Sequence, residues 1–292
     1  MKKIILSFLL VSILIPSILA QEINDYNSLD IQTKITYSLN LKKLSSNYQI
    51  DYVFVNLTSF PRNTEFQNSE NIIKSEPDAK ITENENSILY YWNNPSQDEL
   101  KFIIESKINS RTNFKEITSK VKFPIENNIL DSYTMSTETV TSNDTEIKKL
   151  ASNLAEGEDD LYNVVWKIAL WTHDNINYSL DTLTAEVSQN SRWVLDNKRG
   201  VCDELTSLFI AMLRSLNIPA RFATGQSYTN VLNDFGNHAW AEVYFPEYGW
   251  VAFDPTYGQY GYVDVSHIVM GEELDVKEPG INYGWRSYDV DI

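Results

Sequence analysis

Apolar and polar residues alternate along the first third of this chain, and then the period changes. Ile31, Thr33, Ile35, Tyr37, Leu39 and Leu41 fall on every second position, the spacing of a strand with one buried face. Ile50, Tyr52 and Phe54 repeat that spacing, as do Leu100, Phe102 and Ile104. Residues 88–92 form a further apolar strand after the turn Asn84-Glu85-Asn86. Five or more short strands joined by polar turns, with no helical stretch up to Phe123, predict an antiparallel β-sandwich. The Asn-, Ser- and Thr-rich stretch that follows Pro124 reads as a linker.

Beyond it the spacing is helical. Ile147, Leu150, Ala151 and Leu154 share a face and stop at Gly157, a residue suited to closing a helix. Leu161, Val164, Val165, Ile168 and Ala169 predict a second helix. A third begins near Gly200 and carries Val201, Leu205, Leu208, Phe209, Met212, Leu213 and Leu216 on one side until Asn217-Ile218-Pro219. Strands return from Arg221. The expected organisation is α+β: a sandwich over 22–124, a linker over 125–144 and a mixed domain over 145–292.

Length and composition bound the reading. At 292 residues the chain can hold two domains with separate cores, and 42% hydrophobic residues exclude a disordered chain. A formal net charge of −16 offers no basic stripe to release counterions from phosphate, so nucleic acid is not an expected partner. No loop has the ligand spacing of an EF-hand, and neither a metal nor a cofactor is expected. Lys2 and Lys3 precede an apolar run over 4–20, interrupted at Pro16 and closed by Ala20 before Gln21. Residues 1–20 therefore read as a signal peptide or an uncleaved membrane anchor, with the rest of the chain secreted or at the cell surface, outside the cytoplasm.

That location makes the cysteine count informative. Exported proteins usually pair their cysteines, and this chain has only Cys202. A lone cysteine is usually a small buried hydrophobe, so its surroundings must decide. Cys202 falls in the first turn of the third helix, where unpaired N–H groups and the macrodipole favour thiolate and can hold an oxyanion. Gly200 lets substrate approach the backbone. His238 opens a strand whose apolar face is Ala239, Ala241, Val243 and Phe245, to be packed on the cysteine helix, with His238 and Trp240 on the other face. The turn Pro246-Glu247-Tyr248-Gly249 leads into 250–254, ending at Asp254 before Pro255. A hairpin thus brings a histidine and a carboxylate together at its open end, as a Cys–His–Asp system requires. His173 and His267 have no cysteine or carboxylate hairpin placed near them and read as structural.

Four blocks in order, 199–204 (Arg-Gly-Val-Cys-Asp-Glu), 213–221, 238–243 (His-Ala-Trp-Ala-Glu-Val) and 249–256 (Gly-Trp-Val-Ala-Phe-Asp-Pro-Thr), resemble the core of the transglutaminase-like superfamily. The resemblance implies a papain-like cysteine-enzyme domain with Cys202, His238 and Asp254 as triad. It also implies acyl transfer from an amide of a protein or peptide substrate through a thioester. Hydrolysis is the favoured outcome. The alternatives are transglutaminase cross-linking and, in a different class, a non-catalytic binding module on the same fold. Family members often complete the oxyanion hole with an upstream side chain, for which Trp171, Tyr178 and Trp193 are candidates. Trp240, beside His238, is a further substrate-side candidate. The Gly/Tyr-rich segment 257–262 either walls the cleft or is an aromatic loop.

The triad dictates a register. His238 and Asp254 can meet only if directly opposed residues of the hairpin have numbers with an even sum. Tyr244 is therefore expected opposite Trp250, through a connection spanning 245–249 or an equivalent bulge. If Phe245 paired with Trp250 instead, Glu242, which shares a face with His238, would have to be weighed as the orienting carboxylate.

Overall fold

The computed structural model describes residues 26–125, 130–181, 188–229, 233–276 and 280–291. The export signal or anchor expected at 1–20 lies outside them. Among the described residues, no helix is long and apolar enough to cross a membrane. The fold is α+β, and the chain divides into two compact units: Leu29–Ser110 with the carboxy-terminal strands, and the intervening chain from Arg111.

The first unit is antiparallel. Strands β1 (Ser28–Asn40), β2 (Gln49–Leu57), β3 (Gln67–Glu76), β4 (Lys80–Asn84), β5 (Ser87–Asn93) and β6 (Glu99–Arg111) are joined late in the chain by β12 (Ile281–Tyr288). One sheet has the order β1-β6-β3 and the other β12-β2-β5-β4. Tyr90 of β5 meets Phe102 of β6 at 5.4 Å between ring centroids, so the two inner faces close on one aromatic layer. Alternation in β1 buries Ile35, Tyr37 and Leu39, as its pattern predicts. In β2 the pattern misleads: Val53, Val55 and Leu57 face the core while Tyr52 and Phe54 do not. The β2–β12 pairing shifts register beside Asp51, which turns Ile50 inward with them.

The second unit packs helices against a sheet. Helices α1 (Thr145–Leu154), α2 (Leu161–Asn175) and α4 (Cys202–Ser215) are the three expected ones. Asp144 and Asp160 cap the first two by accepting from Glu146 N and Ile147 N, and from Tyr162 N. A short helix, α3 (Ser191–Asn197), is additional; only Ser191 and Val194 of it are buried, too few to leave a periodic signal. The sheet, in order β10-β9-β8-β7-β11, comprises β7 (Ala220–Thr229), β8 (Asp234–Phe245), β9 (Gly249–Asp254), β10 (Gln259–Tyr260) and β11 (Ile268–Glu273). Ala239, Ala241, Val243 and Phe245 join Leu205, Leu208 and Phe209 of α4 in one buried cluster, the face expected to meet the cysteine helix. Thr206 of α4 also donates to the Ala239 carbonyl at 3.1 Å.

The expected boundaries 22–124, 125–144 and 145–292 differ from these units at both ends. β12 returns to the first unit, because its half-buried alternation completes a sheet rather than the helical core. The stretch expected as linker contributes buried Thr139, Val140 and Ser142 to the second unit. Thr139 donates to Asp275 at 2.8 and 2.7 Å, and its carbonyl accepts from Ser191 and Ser207. Its polar residues are there to satisfy buried partners, not to stay in solvent.

Gly225 ties β11 to β7 where their register shifts; a Cβ there would fall 1.8 Å from the Ile268 carbonyl oxygen. Gly225→Ala must therefore push β11 away. The expected loss is about 1–3 kcal/mol, the usual cost of overpacking, read from urea unfolding with unchanged m. A change under about 0.5 kcal/mol would show that β11 yields freely.

Candidate active site

Cys202 is the first residue of α4, directly after Val201, and is partly exposed with a free thiol. The helix start is fixed by Glu204, which is 1% exposed and accepts from Val201 N at 3.0 Å and from Gln189 N at 2.9 Å. Glu204 is thereby committed to capping. Gly200 is required by this contact: a Cβ would sit 2.8 Å from Glu204 Cβ. That is a different reason from the substrate access expected of it. Asp203 instead accepts from Ser188, and burial pushes its carboxyl up despite that bond.

The hairpin of β8 and β9 has the even-sum register. Ala241 lies opposite Phe253, Val243 opposite Val251, Tyr244 opposite Trp250 and Phe245 opposite Gly249. The connection is the three residues Pro246–Tyr248, closed by Tyr248 N donating to Phe245 O with Glu247 at positive φ. His238 stands inside β8 rather than at its start, since the strand begins at Asp234. Its neighbour across β7 is Gly225. Asp254 ends β9, and His238 Nε2 lies 2.7 Å from Asp254 Oδ2 with both side chains buried. Glu242 is engaged elsewhere, by Arg221 at 2.7 and 2.8 Å.

With Nε2 given to the carboxylate, Nδ1 is the His238 nitrogen left for the cysteine, and the Cys202 thiol lies near enough to act electrostatically on the ring. Burial would lower the His238 pKa, but the charge and hydrogen bond of Asp254, helped by Cys202, outweigh it and push it up to about 9. Asp254 is buried too, yet the charge of His238 and the bonds from His238 and His267 hold it well below the usual carboxylate range. Its other oxygen accepts from Thr256 N at 2.7 Å and Tyr257 N at 3.2 Å. The Tyr257 ring stacks on His238 at 4.5 Å and 13°, so the aromatic segment 257–262 contributes one wall.

His267 is where the structure departs from the sequence reading. It is buried beside Asp254, with Nε2 at 3.1 Å from Oδ2 and Nδ1 at 3.2 Å from Asp264 Oδ1. Against the lowering effect of burial, these two carboxylates push its pKa up to about 9. The tight turn from Asp264 to His267 supplies this geometry, and neither hydrophobic period nor a family block marks it. His173 keeps its structural reading: its Nδ1 lies 2.8 Å from Pro255 O.

The four aromatic candidates separate. Tyr178 pairs beside Gly200 in a short parallel bridge and is 54% exposed, so partial desolvation and the charge of Cys202 raise its phenol. Trp171 lies 4.4 Å from the Lys198 ammonium and lines a surface depression with Glu146 and Lys149. Trp193 packs on the core with the Arg199 guanidinium 5.7 Å from its ring. Trp240 is fully buried, 5.0 Å from the His267 ring, with no partner for Nε1 among the described residues. Of the four, Tyr178 is the one whose ionisation the charge of Cys202 affects.

Ligand-capable atoms of His238, Asp254 and His267 lie within 4.8 Å of one another. Their 2.7 and 3.1 Å separations are hydrogen-bond lengths, shorter than the about 3.3 Å between two ligands on a tetrahedral zinc.

Residues 148–255 match the transglutaminase-like superfamily, which includes cysteine proteases and transglutaminases. The uncharacterised YebA of Bacillus subtilis is 30% identical over 129 residues, 38% of this chain and 17% of that protein. A protein-glutamine gamma-glutamyltransferase of Pseudomonas aeruginosa is 30% identical over 96 residues, 30% of this chain and 14% of that protein. The chain therefore spans less than a fifth of either curated relative. A crystal structure described as a candidate cysteine protease from Cytophaga hutchinsonii aligns over 91% of this chain and 90% of its own. Its TM-score is 0.60 at 17% identity, a likeness of fold.

The two histidines make stability fall in alkali. A pKa raised from 6.5 to about 9 on folding means that the native state holds protons the unfolded chain releases. Their contribution is complete below the unfolded value and is lost as pH rises through about 9. Melting temperature should drop between about pH 7 and pH 9, and less so in His267→Gln. A flat profile over that window would contradict the ionised arrangement.

Proposed function

We propose that the transglutaminase-like core of this chain is a thiol-dependent acyl-transfer enzyme acting on amide bonds of a protein or peptide, with Cys202, His238 and Asp254 as its catalytic triad. The observation that carries this reading is one histidine bonded at 2.7 Å to a buried carboxylate and electrostatically coupled to the cysteine of a helix start. Cys202 Sγ attacks the amide carbonyl, whose oxygen takes the negative charge. The helix N-terminal N–H groups offset that charge, and Tyr178, whose ionisation feels the charge of Cys202, is the candidate side chain to add to them. His238 passes its proton to the leaving nitrogen as the C–N bond breaks, leaving a thioester. Water then attacks, its proton goes to His238, and the C–S bond breaks to restore the thiolate. Asp254 holds the ring so that Nδ1 faces sulfur throughout.

Hydrolysis is the preferred outcome, because the thiol is partly exposed and water reaches it. Transamidation is the alternative, favoured by the likeness to the Pseudomonas aeruginosa glutamyltransferase. The basic, then apolar, start of the sequence supports action outside the cytoplasm.

Cys202→Ala should abolish turnover of a thiol-accessible amide substrate while leaving the melting temperature within a few degrees of the parent. Unfolding of the variant would mean a structural cysteine, and retained turnover would remove Cys202 from the mechanism. Mass spectrometry of products formed with and without a primary amine separates acid from amide product, and so hydrolysis from transamidation.

A further inference from the structure

We propose that His267 is a standing imidazolium that clamps the same oxygen of Asp254 that His238 uses, and so acts as a positioning residue that trims the basicity of His238. Its effect on turnover rests on the acyl-transfer reading above; its protonation does not. Both ring nitrogens of His267 face carboxylate oxygens, Asp254 Oδ2 at 3.1 Å and Asp264 Oδ1 at 3.2 Å. A neutral imidazole has one N–H and one lone pair, so one of these contacts would set a lone pair against an oxygen. Moving the missing proton to Asp264 does not help. Its Oδ1 already accepts from Ser266 N at 2.8 Å and Ser266 Oγ at 2.6 Å, and Oδ2 from Gln259 Nε2. Asp254 Oδ1 is met by two fixed donors, the backbone N–H groups of Thr256 and Tyr257, and Oδ2 faces both histidines. Both carboxylates are built as anions, and a fully buried cation between them is the arrangement that satisfies every atom.

The consequence falls on His238. Its ring is 5.5 Å from His267, and the two share Oδ2 of Asp254. Half of the oxygen's hydrogen-bonding capacity is taken, and a second positive charge stands nearby. His238 therefore releases its proton more readily than it would beside an undivided carboxylate, which suits a group that must hand that proton to a leaving amine. The remaining titratable groups near the pair are Tyr257, which contacts both rings, and Cys202 on the His238 side, while Trp240 packs uncharged against both. Tyr178 and Asp203 interact near the cysteine.

Nitrogen-15 NMR of the histidine rings in the intact chain tests the clamp directly. Near about pH 7.5 both His267 nitrogens should be protonated; a neutral tautomer there overturns the proposal. In His267→Gln the His238 titration should move up by about one unit, a roughly tenfold gain in proton affinity, with the optimum for turnover moving the same way. Turnover number should fall roughly tenfold with KM little changed. Asp264→Asn, a milder change, should leave His267 singly protonated and give a smaller shift of the same sign; it decides the matter if His267→Gln fails to fold. An unmoved His238 titration in a folded variant would reduce His267 to a structural residue. Should Cys202→Ala retain activity while His267 proves doubly protonated, the acyl-transfer reading falls and the clamp stands.

Discussion

The second unit is organised around one buried carboxylate, Asp254, and the need to keep it ionised away from water. An uncompensated charge there would cost several kcal/mol, enough to unfold an ordinary domain. Four donors from three places in the chain meet that need: His238 from β8, His267 from the turn before β11, and two backbone N–H groups of the turn after β9. The five-stranded sheet and the turns at its edge can be read as the scaffold that delivers them. Neutralising Asp254 would loosen all four contacts at once, so the groups that orient His238 are also groups that hold the domain together.

The cysteine arrives by a separate route. α4 is buried along most of its length, and its start is pinned by Glu204 reaching back to Val201 N and across to Gln189 N. The apolar face of β8 packs on this helix while His238 projects with the opposite face toward Asp254 and Tyr257. The start of the helix is thus fixed by its own cap, and the core shared by helix and hairpin sets the separation of Cys202 and His238.

Much of this was legible in the residues. The period change separated strands from helices, and parity, together with the length of the connection, required Tyr244 opposite Trp250, because a side chain on the wrong face cannot reach its partner. What stayed hidden has physical reasons. The face of β2 turned at a bulge, which a fixed period of two cannot represent. The carboxy-terminal strand paired with β2 far back in the chain, and no local signal records a partner more than two hundred residues away. His267 looked ordinary because its partners, Asp254 and Asp264, are close in sequence but gathered by a turn with no periodic signature. The polar stretch around Thr139 read as a linker because composition does not distinguish solvated hydroxyls from buried, bonded ones.

The central claim is that His238, held by Asp254, activates Cys202. It is tested most directly by the rate at which iodoacetamide alkylates Cys202 near about pH 6, where an ordinary thiol is almost wholly protonated. The account predicts at least a roughly tenfold faster reaction in the parent protein than in folded His238→Ala, in which no imidazolium faces the sulfur. Equal rates in the two proteins would contradict it.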